Sequence, residues 1–137
     1  MEKTTTLIGR LFLGHIFLIA GIQKITGYGA TQAWMESMGV PGMLLPAVIA
    51  LEIGGGAAVI VGWQTRWAAI TLAGFSILAA AIFHNNFADQ MQMINFMKDI
   101  AIAGGLLFVF TFGPGGLSFD ERRRHSHRPA GHTAVLP

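Results

Sequence analysis

The 137-residue sequence contains no cysteine and few charged residues. Without cysteine, disulfides, thiolate metal sites, iron–sulfur clusters and cysteine nucleophiles are excluded. Asp, Glu, Lys and Arg together make up 12% of the residues, against roughly 25% in ordinary soluble domains. A soluble protein of this size needs a polar surface, and a disordered chain needs more charge still. The composition, with a mean hydropathy of +0.55, therefore indicates a folded protein in an apolar environment.

Four apolar stretches follow one another along the chain, at about residues 7–22, 43–63, 67–83 and 100–112. A helix that crosses a bilayer needs about 20 mostly apolar residues. The third stretch contains no charge, and its polar residues are Thr71 and Ser76, so it lacks the polar face of a soluble amphipathic helix. We therefore predict an all-α, integral membrane four-helix transmembrane bundle. The alternative is a soluble helical bundle with a very apolar core.

Basic residues are unevenly distributed between the two sides that four spans define. An even number of spans places both termini on one side, and that side holds seven of the nine Lys and Arg residues. These seven are Lys3, Arg10, Arg66, Arg122, Arg123, Arg124 and Arg128. Because cytoplasmic segments are enriched in basic residues, we predict that both termini lie in the cytoplasm.

The sequence changes character after Asp120, where Arg, His, Pro and Gly replace the apolar residues. We predict a transmembrane domain over residues 1–121 and a basic, disordered cytoplasmic tail over residues 122–137. An anchor near anionic lipid headgroups explains the arginine run better than a nucleic-acid patch does. The expected partner of this surface is therefore the lipid bilayer, not a nucleic acid.

Ionisable residues inside the apolar stretches are the candidates for a functional site, because a charge within a membrane is costly unless it is paired. Glu52 lies near the middle of the second span. Four other ionisable residues fall near the outer ends of their helices: Lys24, His84, Lys98 and Asp99. At 100° per residue, each ionisable group shares a face with small residues, which mark helix–helix contacts in membranes. We predict that these faces turn inward and form an outward-opening polar pocket. Its ligand-binding candidates are Lys24, Glu52, His84, Lys98 and Asp99.

Two further charges, Arg10 and Arg66, are expected at the inner rim of the bundle. Within the pocket, Glu52 would pair with Lys24 or Lys98, and His84 could exchange a proton near neutral pH. The structural alternative is that Glu52 and Lys98 only form an internal ion pair that fixes helix register.

No metal site is predicted. His15, His84 and Glu52 could ligate a metal, but no two of them lie at ligand spacing on one helix. His15 lies off the face of Arg10 and Lys24, and we expect a hydrogen-bonded packing role for it. The methionines near the outer side are expected to pack rather than bind copper, and the histidines at 125, 127 and 132 are expected to be solvated.

The ordered set of short motifs resembles the DoxX family of small four-helix inner-membrane proteins over about residues 5–122. The motifs begin with Arg10 and continue with Gly21-x-x-Lys24-Ile-Thr-Gly-Tyr, Met38-Gly-Val-Pro41, Leu51-Glu52-Ile-Gly54-Gly55, Gly62-x-x-Thr65-Arg66, Phe83-His84, Asn95-Phe96-Met97-Lys98, Gly113-Pro114-Gly115 and Ser118-Phe-Asp120. The resemblance implies a four-helix transmembrane bundle. It also places the family's characteristic polar residues at Arg10, Lys24, Glu52, Arg66, His84 and Lys98.

The family takes its name from a subunit of an archaeal terminal quinol oxidase associated with thiosulfate:quinone oxidoreductase. Other members are similar to membrane partners of thiol-oxidant detoxification complexes. The resemblance and the clustered titratable groups favour a quinone-linked redox or accessory subunit, with quinone as the candidate cofactor. In this hypothesis His84 and Glu52 exchange protons with a quinone oxygen, while Lys24 and Lys98 stabilise a developing anion.

The resemblance makes a subunit of a quinone-dependent oxidoreductase one candidate for an enzymatic role. The sequence contains no haem, copper or cysteine redox motif, which argues against an intrinsic oxidase activity. Two other functions stay open: a non-catalytic membrane scaffold for a redox or detoxification complex, and a small-solute or proton transporter. A redox protein and a second copy of the chain are candidate partners.

Overall fold

The computed structural model describes residues 1–127, and this part of the chain is entirely helical or loop, without a strand. It contains six α-helices and one 3₁₀ turn, Gly42–Leu44. The helices are α1 Glu2–Thr26, α2 Tyr28–Ser37, α3 Leu45–Val61, α4 Thr65–Phe83, α5 Gln90–Phe112 and α6 Phe119–Ser126. The short helix expected near residues 30–38 corresponds to α2.

Four of these segments are long and apolar enough to cross a membrane: α1, α3 with its preceding 3₁₀ turn, α4 and α5. Even α4, the shortest at 19 residues, is about 28 Å long at 1.5 Å per residue, close to the roughly 30 Å hydrocarbon core of a bilayer. Their outer surfaces carry large apolar side chains, such as Phe12 (70% exposed) and Phe108 (68% exposed). The all-α, four-helix transmembrane prediction is confirmed.

The bundle consists of two closely packed helix pairs, α1 with α3 and α4 with α5, which α3 and α4 join. Small residues let α1 and α3 approach each other. A Cβ atom on Gly14 would lie 2.7 Å from the carbonyl oxygen of Gly56, and one on Gly56 would lie 2.8 Å from that of Gly14. Such glycine contacts are typical of helix pairs in membranes. Phe17, Leu72 and Leu106 fill the centre between the pairs.

The helix ends define two ends of the bundle. The Lys24 end holds the last turn of α1, α2, the start of α3, the end of α4 and the start of α5. The Arg10 end holds the start of α1, the end of α3, the start of α4, the end of α5, and α6.

The chain beyond residue 121 differs from the expectation, because α6 includes residues 122–126 of the segment predicted to be disordered. Ser118 caps this helix: its Oγ accepts a hydrogen bond from the Glu121 backbone N–H at 3.2 Å. Acidic residues occupy the first turn and basic residues the last, as the helix dipole favours. The rest of the predicted tail, residues 128–137 with Arg128 and His132, lies outside the described residues.

Candidate functional site

The Lys24 end contains a nearly buried ion pair between α1 and α3. Lys24 Nζ donates to Glu52 Oε1 at 2.9 Å and to Oε2 at 3.0 Å. The Glu52 side chain is only 4% exposed, whereas that of Lys24 is 27% exposed. Gly21 allows this approach, since a Cβ atom there would lie 2.6 Å from Ile53 Cγ1. Of the two partners predicted for Glu52, the structure selects Lys24.

A second polar pair joins α4 to α5 at the same end. His84 Nε2 lies 3.8 Å from Asp99 Oδ2, and the two side chains are 23% and 27% exposed. His84 ends α4, and its backbone N–H donates to the carbonyl of Ala80. Both pairs lie at the Lys24 end of the bundle, and we call Lys24, Glu52, His84 and Asp99 together the four-residue cluster.

Lys98 does not belong to this cluster. Its side chain is exposed, and it forms no ion pair within residues 1–127. The Lys98 face of α5 turns inward only in part: Ile102 packs against the core and Gly105 faces Leu13, whereas the Lys98 side chain itself is exposed. The buried residues of α5 are Ala103 and Leu106, which lie four and seven positions after Asp99 and so share its face. Lys98, rotated by 100° from Asp99, lies off the face that carries these two residues.

The helix α2 covers the side of this end, as the aromatic contact between α2 and α4 shows. The rings of Trp34 and Phe83 stack with centroids 4.6 Å apart. Met35 of α2 is buried, and Gly42 packs against Gln32 of the same helix. An aromatic wall therefore stands directly beside His84, which follows Phe83 in the chain.

At the opposite end, Arg10 is 1% exposed and its guanidinium links three segments. Nη1 donates to the carbonyls of Val59 (3.3 Å) and Ile60 (3.1 Å), and Nη2 donates to that of Leu117. Carbonyls in the last turn of a helix have no partner within the helix, so Arg10 satisfies two carbonyls at the end of α3. Arg66, the other predicted inner-rim residue, is exposed; its guanidinium lies beside Gly113.

Asp120, which the sequence shows only as part of the Ser118-Phe-Asp120 motif, has a structural role that was not predicted. Its Oδ1 accepts from the Gln64 N–H at 2.9 Å, and its Oδ2 accepts from the Thr65 N–H at 2.9 Å and from Thr65 Oγ1 at 2.7 Å. Asp120 thus caps α4, whose own N-cap residue, Gln64, makes no side-chain cap. Partial burial raises the pKa of Asp120, but the hydrogen bonds from Thr65 and Gln64 and the nearby Arg124 outweigh it, so the pKa lies below its ordinary value. The signal in the sequence was the absence of a capping residue before Thr65.

His15 lies outside the four-residue cluster, which contains the other two candidate metal ligands, His84 and Glu52. His15 Nδ1 lies 2.6 Å from the carbonyl oxygen of Phe12, so the expected hydrogen bond is present. The His15 side chain is nevertheless exposed on the outer face of α1, and the predicted packing role is wrong. Across residues 1–127, no three His, Asp or Glu side chains come together as a possible metal site.

Four membrane-spanning helices with polar groups paired at one end define a small polytopic membrane protein. The DoxX family model matches residues 5–85, and the chain belongs to the DoxX family. It is 47% identical over 121 residues to the inner membrane protein YqjF of Escherichia coli (strain K12), across 88% of this chain and 93% of that protein. It is 34% identical over 123 residues to the inner membrane protein YphA of the same organism, across 85% and 88% of the two chains.

No solved structure gives a significant match. The two relatives and the four spans make this chain a multi-pass inner-membrane protein.

Proposed function

We propose that this protein is a quinone-linked subunit of a membrane redox system, and that the four-residue cluster at the Lys24 end binds the quinone headgroup. The observation that carries the proposal is the pairing of Lys24 with Glu52 beside the pairing of His84 with Asp99. Four titratable groups, contributed by α1, α3, the end of α4 and α5, form two pairs at the same end of the bundle. Clusters of this kind within a membrane are functional-site candidates by default.

The partial exposure of Lys24, His84 and Asp99 supports a ligand-binding role for these three residues of the cluster. Lys24, His84 and Asp99 are each about one quarter exposed, whereas Glu52 is nearly buried. The three accessible groups can contact a molecule that enters from the membrane or from its surface. A quinone headgroup offers two carbonyl oxygens that accept hydrogen bonds and take up protons when the ring is reduced. Lys24 Nζ and His84 Nε2 are suitable donors to such oxygens.

Each residue of the cluster has a distinct role in this proposal. Glu52 holds Lys24 in place through two hydrogen bonds and compensates its charge. His84 holds or passes a proton at Nε2, and the Asp99 carboxylate, 3.8 Å from that atom, balances the charge of the imidazolium. Lys98, one of the predicted ligand-binding residues, is left out of the proposed site because its side chain is exposed and forms no ion pair within residues 1–127. The stacked rings of Trp34 and Phe83 provide an apolar wall for the headgroup.

We also propose that the Lys24 end faces the periplasm. Six of the eight Lys and Arg residues within residues 1–127 lie at the Arg10 end, and only Lys24 and Lys98 lie at the other. The excess of basic residues favours a cytoplasmic Arg10 end. A green fluorescent protein fused after residue 137 should fluoresce, and an alkaline phosphatase fused there should be inactive. The opposite pattern would reverse the orientation.

Binding of decylubiquinone tests the site. The purified protein in nanodiscs is titrated with this quinone analogue, and quenching of tryptophan fluorescence reports binding. We expect His84→Gln and Asp99→Asn each to weaken binding about tenfold, the size of one lost hydrogen bond to a charged group. Lys98→Gln is the matched control, because it removes a charge from the same end without touching the cluster. Unchanged binding in the first two variants, or an equal loss in Lys98→Gln, would contradict the proposal.

A scaffold function is the second candidate, and the buried state of Glu52 favours it. Two hydrogen bonds from Lys24 already satisfy this carboxylate, as in ion pairs that fix helix packing. In that case Glu52→Gln lowers the thermal stability of the protein but leaves decylubiquinone binding per folded molecule at the level of the wild type. A loss of binding in the folded Glu52→Gln protein would favour the ligand role instead.

A further inference from the structure

The Arg10 end carries a pocket of about 300 Å³ that is remote from the four-residue cluster. The first turn of α4, the loop after α5 and the helix α6 form its walls. Three guanidinium groups line it, those of Arg66, Arg123 and Arg124, together with Trp67 and a single carboxylate, Asp120. Positive charge therefore exceeds negative charge in the lining, three groups to one.

The one lining carboxylate is already engaged by donors other than these arginines. Both oxygens of Asp120 accept hydrogen bonds from Gln64 and Thr65. Arg66 and Arg123 form neither a side-chain hydrogen bond nor an ion pair within residues 1–127. Arg124 lies 3.9 Å from Glu121, but its side chain is 69% exposed, and an exposed pair of this kind is weak. The guanidinium donors are thus available to an anion.

The pocket is placed where a membrane surface begins. Arg66 and Trp67 belong to the first turn of a membrane-spanning helix, and Trp67 is 71% exposed. Large apolar side chains nearby are also exposed, including Phe112 (74%) and Phe119 (49%). Aromatic residues beside arginines are typical of the headgroup region of a bilayer.

We infer that this pocket binds a phosphate group at the membrane surface. Guanidinium groups bind phosphate oxygens through paired, charge-assisted hydrogen bonds, and basic pockets next to membrane helices take lipid headgroups. An anionic phospholipid and a free phosphate compound share this chemistry. The exposed rings of Trp67, Phe112 and Phe119 favour the lipid, because they offer its acyl chains an apolar surface.

Lipid retention measured by native mass spectrometry tests the inference. The full-length protein is transferred from nanodiscs that contain equal amounts of phosphatidylglycerol and phosphatidylcholine, and the lipids that stay bound are counted. In a second arm, inorganic phosphate is added to the protein in detergent without phosphatidylglycerol, and its binding is measured by calorimetry. The variants are Arg66→Gln, Arg123→Gln and Arg124→Gln, each checked for folding by circular dichroism.

Arg122→Gln is the matched control, because Arg122 is an exposed arginine of α6 that is not part of the pocket lining. We expect phosphatidylglycerol to be retained in preference to phosphatidylcholine, and Arg66→Gln and Arg123→Gln each to reduce that retention about fivefold or more. Arg122→Gln should retain the lipid like the wild type. Inorganic phosphate binding with the same dependence on Arg66 and Arg123, without a lipid preference, would support a free phosphate compound as the ligand.

Two outcomes would overturn the inference. If Arg122→Gln reduces retention as strongly as the pocket variants, diffuse surface charge is responsible and no site exists. If neither phosphatidylglycerol nor inorganic phosphate depends on Arg66 and Arg123 in folded variants, the pocket binds no phosphate group.

Discussion

Arg10 and Asp120 bind the two sides of one tight turn, the turn between α3 and α4. Arg10 donates to the carbonyls at the end of α3, and Asp120 accepts from the first amides of α4. The Asp120 N–H also donates to the carbonyl of Gly62 at 2.8 Å, where a φ of +75° suits a glycine. One buried cation and one carboxylate therefore fix how the two helix pairs of the bundle are joined.

Removal of the Asp120 cap should destabilise the protein. Asp120→Ala leaves the amides of Gln64 and Thr65 without their acceptor, and we expect a loss of about 1–2 kcal/mol. Asp120→Asn should lose less, because an amide oxygen can also cap a helix. Thermal unfolding in detergent, followed by circular dichroism, measures the difference. Glu121→Gln serves as the neighbouring control, and an Asp120→Ala protein as stable as this control would contradict the capping role.

The same carboxylate should make stability depend on pH in the acid range. The pKa of Asp120 is lowered in the folded protein below its ordinary value of 3.8, so folding favours the charged form. Its stabilising contribution is complete above pH 3.8 and is lost as the pH falls through the lower, folded value. The stability difference between the wild type and Asp120→Asn should therefore stay constant from pH 7 to about pH 5 and shrink below pH 3.8. A difference that grows with acidity would contradict this sign.

The contact between α1 and α3 should tolerate no side chain at Gly56. A Cβ atom there would lie 2.8 Å from the backbone oxygen of Gly14, and backbone cannot move aside easily. We expect Gly56→Ala to cost about 1–3 kcal/mol, measured by thermal unfolding in detergent. Gly54→Ala on the same helix is the control, since nothing lies within 4 Å of its added Cβ. Equal stability of the two variants would show that the helices pack differently.

Loss of one partner of the Lys24–Glu52 pair should destabilise the protein more than loss of both partners. Lys24→Met leaves the buried Glu52 carboxylate unpaired, and we expect about 3 kcal/mol of destabilisation. The double variant Lys24→Met/Glu52→Leu removes the stranded charge and should regain most of this loss. Lys98→Met, at an exposed residue, should change little. A double variant less stable than Lys24→Met would show that the unpaired Glu52 carboxylate is not the cause of the destabilisation.

The sequence predicted the membrane-spanning helices and the inward position of Glu52 because both follow from local pattern. Hydrophobic length sets the spans, and a carboxylate in the middle of such a span has to find a partner inside the bundle. The choice between Lys98 and Asp99 was not available from local pattern. Both residues lie in the first half of α5, and only the packing of Ala103 and Leu106 against the other helices shows which of them shares the buried face.

Two features of the Arg10 end, the cap of α4 and the helix α6, were also not predicted from the sequence. The cap of Thr65 comes from Asp120, 55 residues further along the chain, and no periodicity in the sequence relates two such positions. Residues 122–126 of α6 were likewise predicted to be disordered, because their composition is polar. Its capping residue, Ser118, and its ordered acidic and basic turns outweigh that composition.

Photo-labelling with an azidoquinone in native membranes tests the central proposal most directly. The protein is irradiated with the probe, digested and analysed by mass spectrometry to locate the labelled peptides. We expect label on the peptides that contain His84 and Asp99, and we expect excess decylubiquinone to compete with it. Label that falls on the Arg10 end instead, or that excess decylubiquinone does not displace, would contradict a quinone site at the Lys24 end.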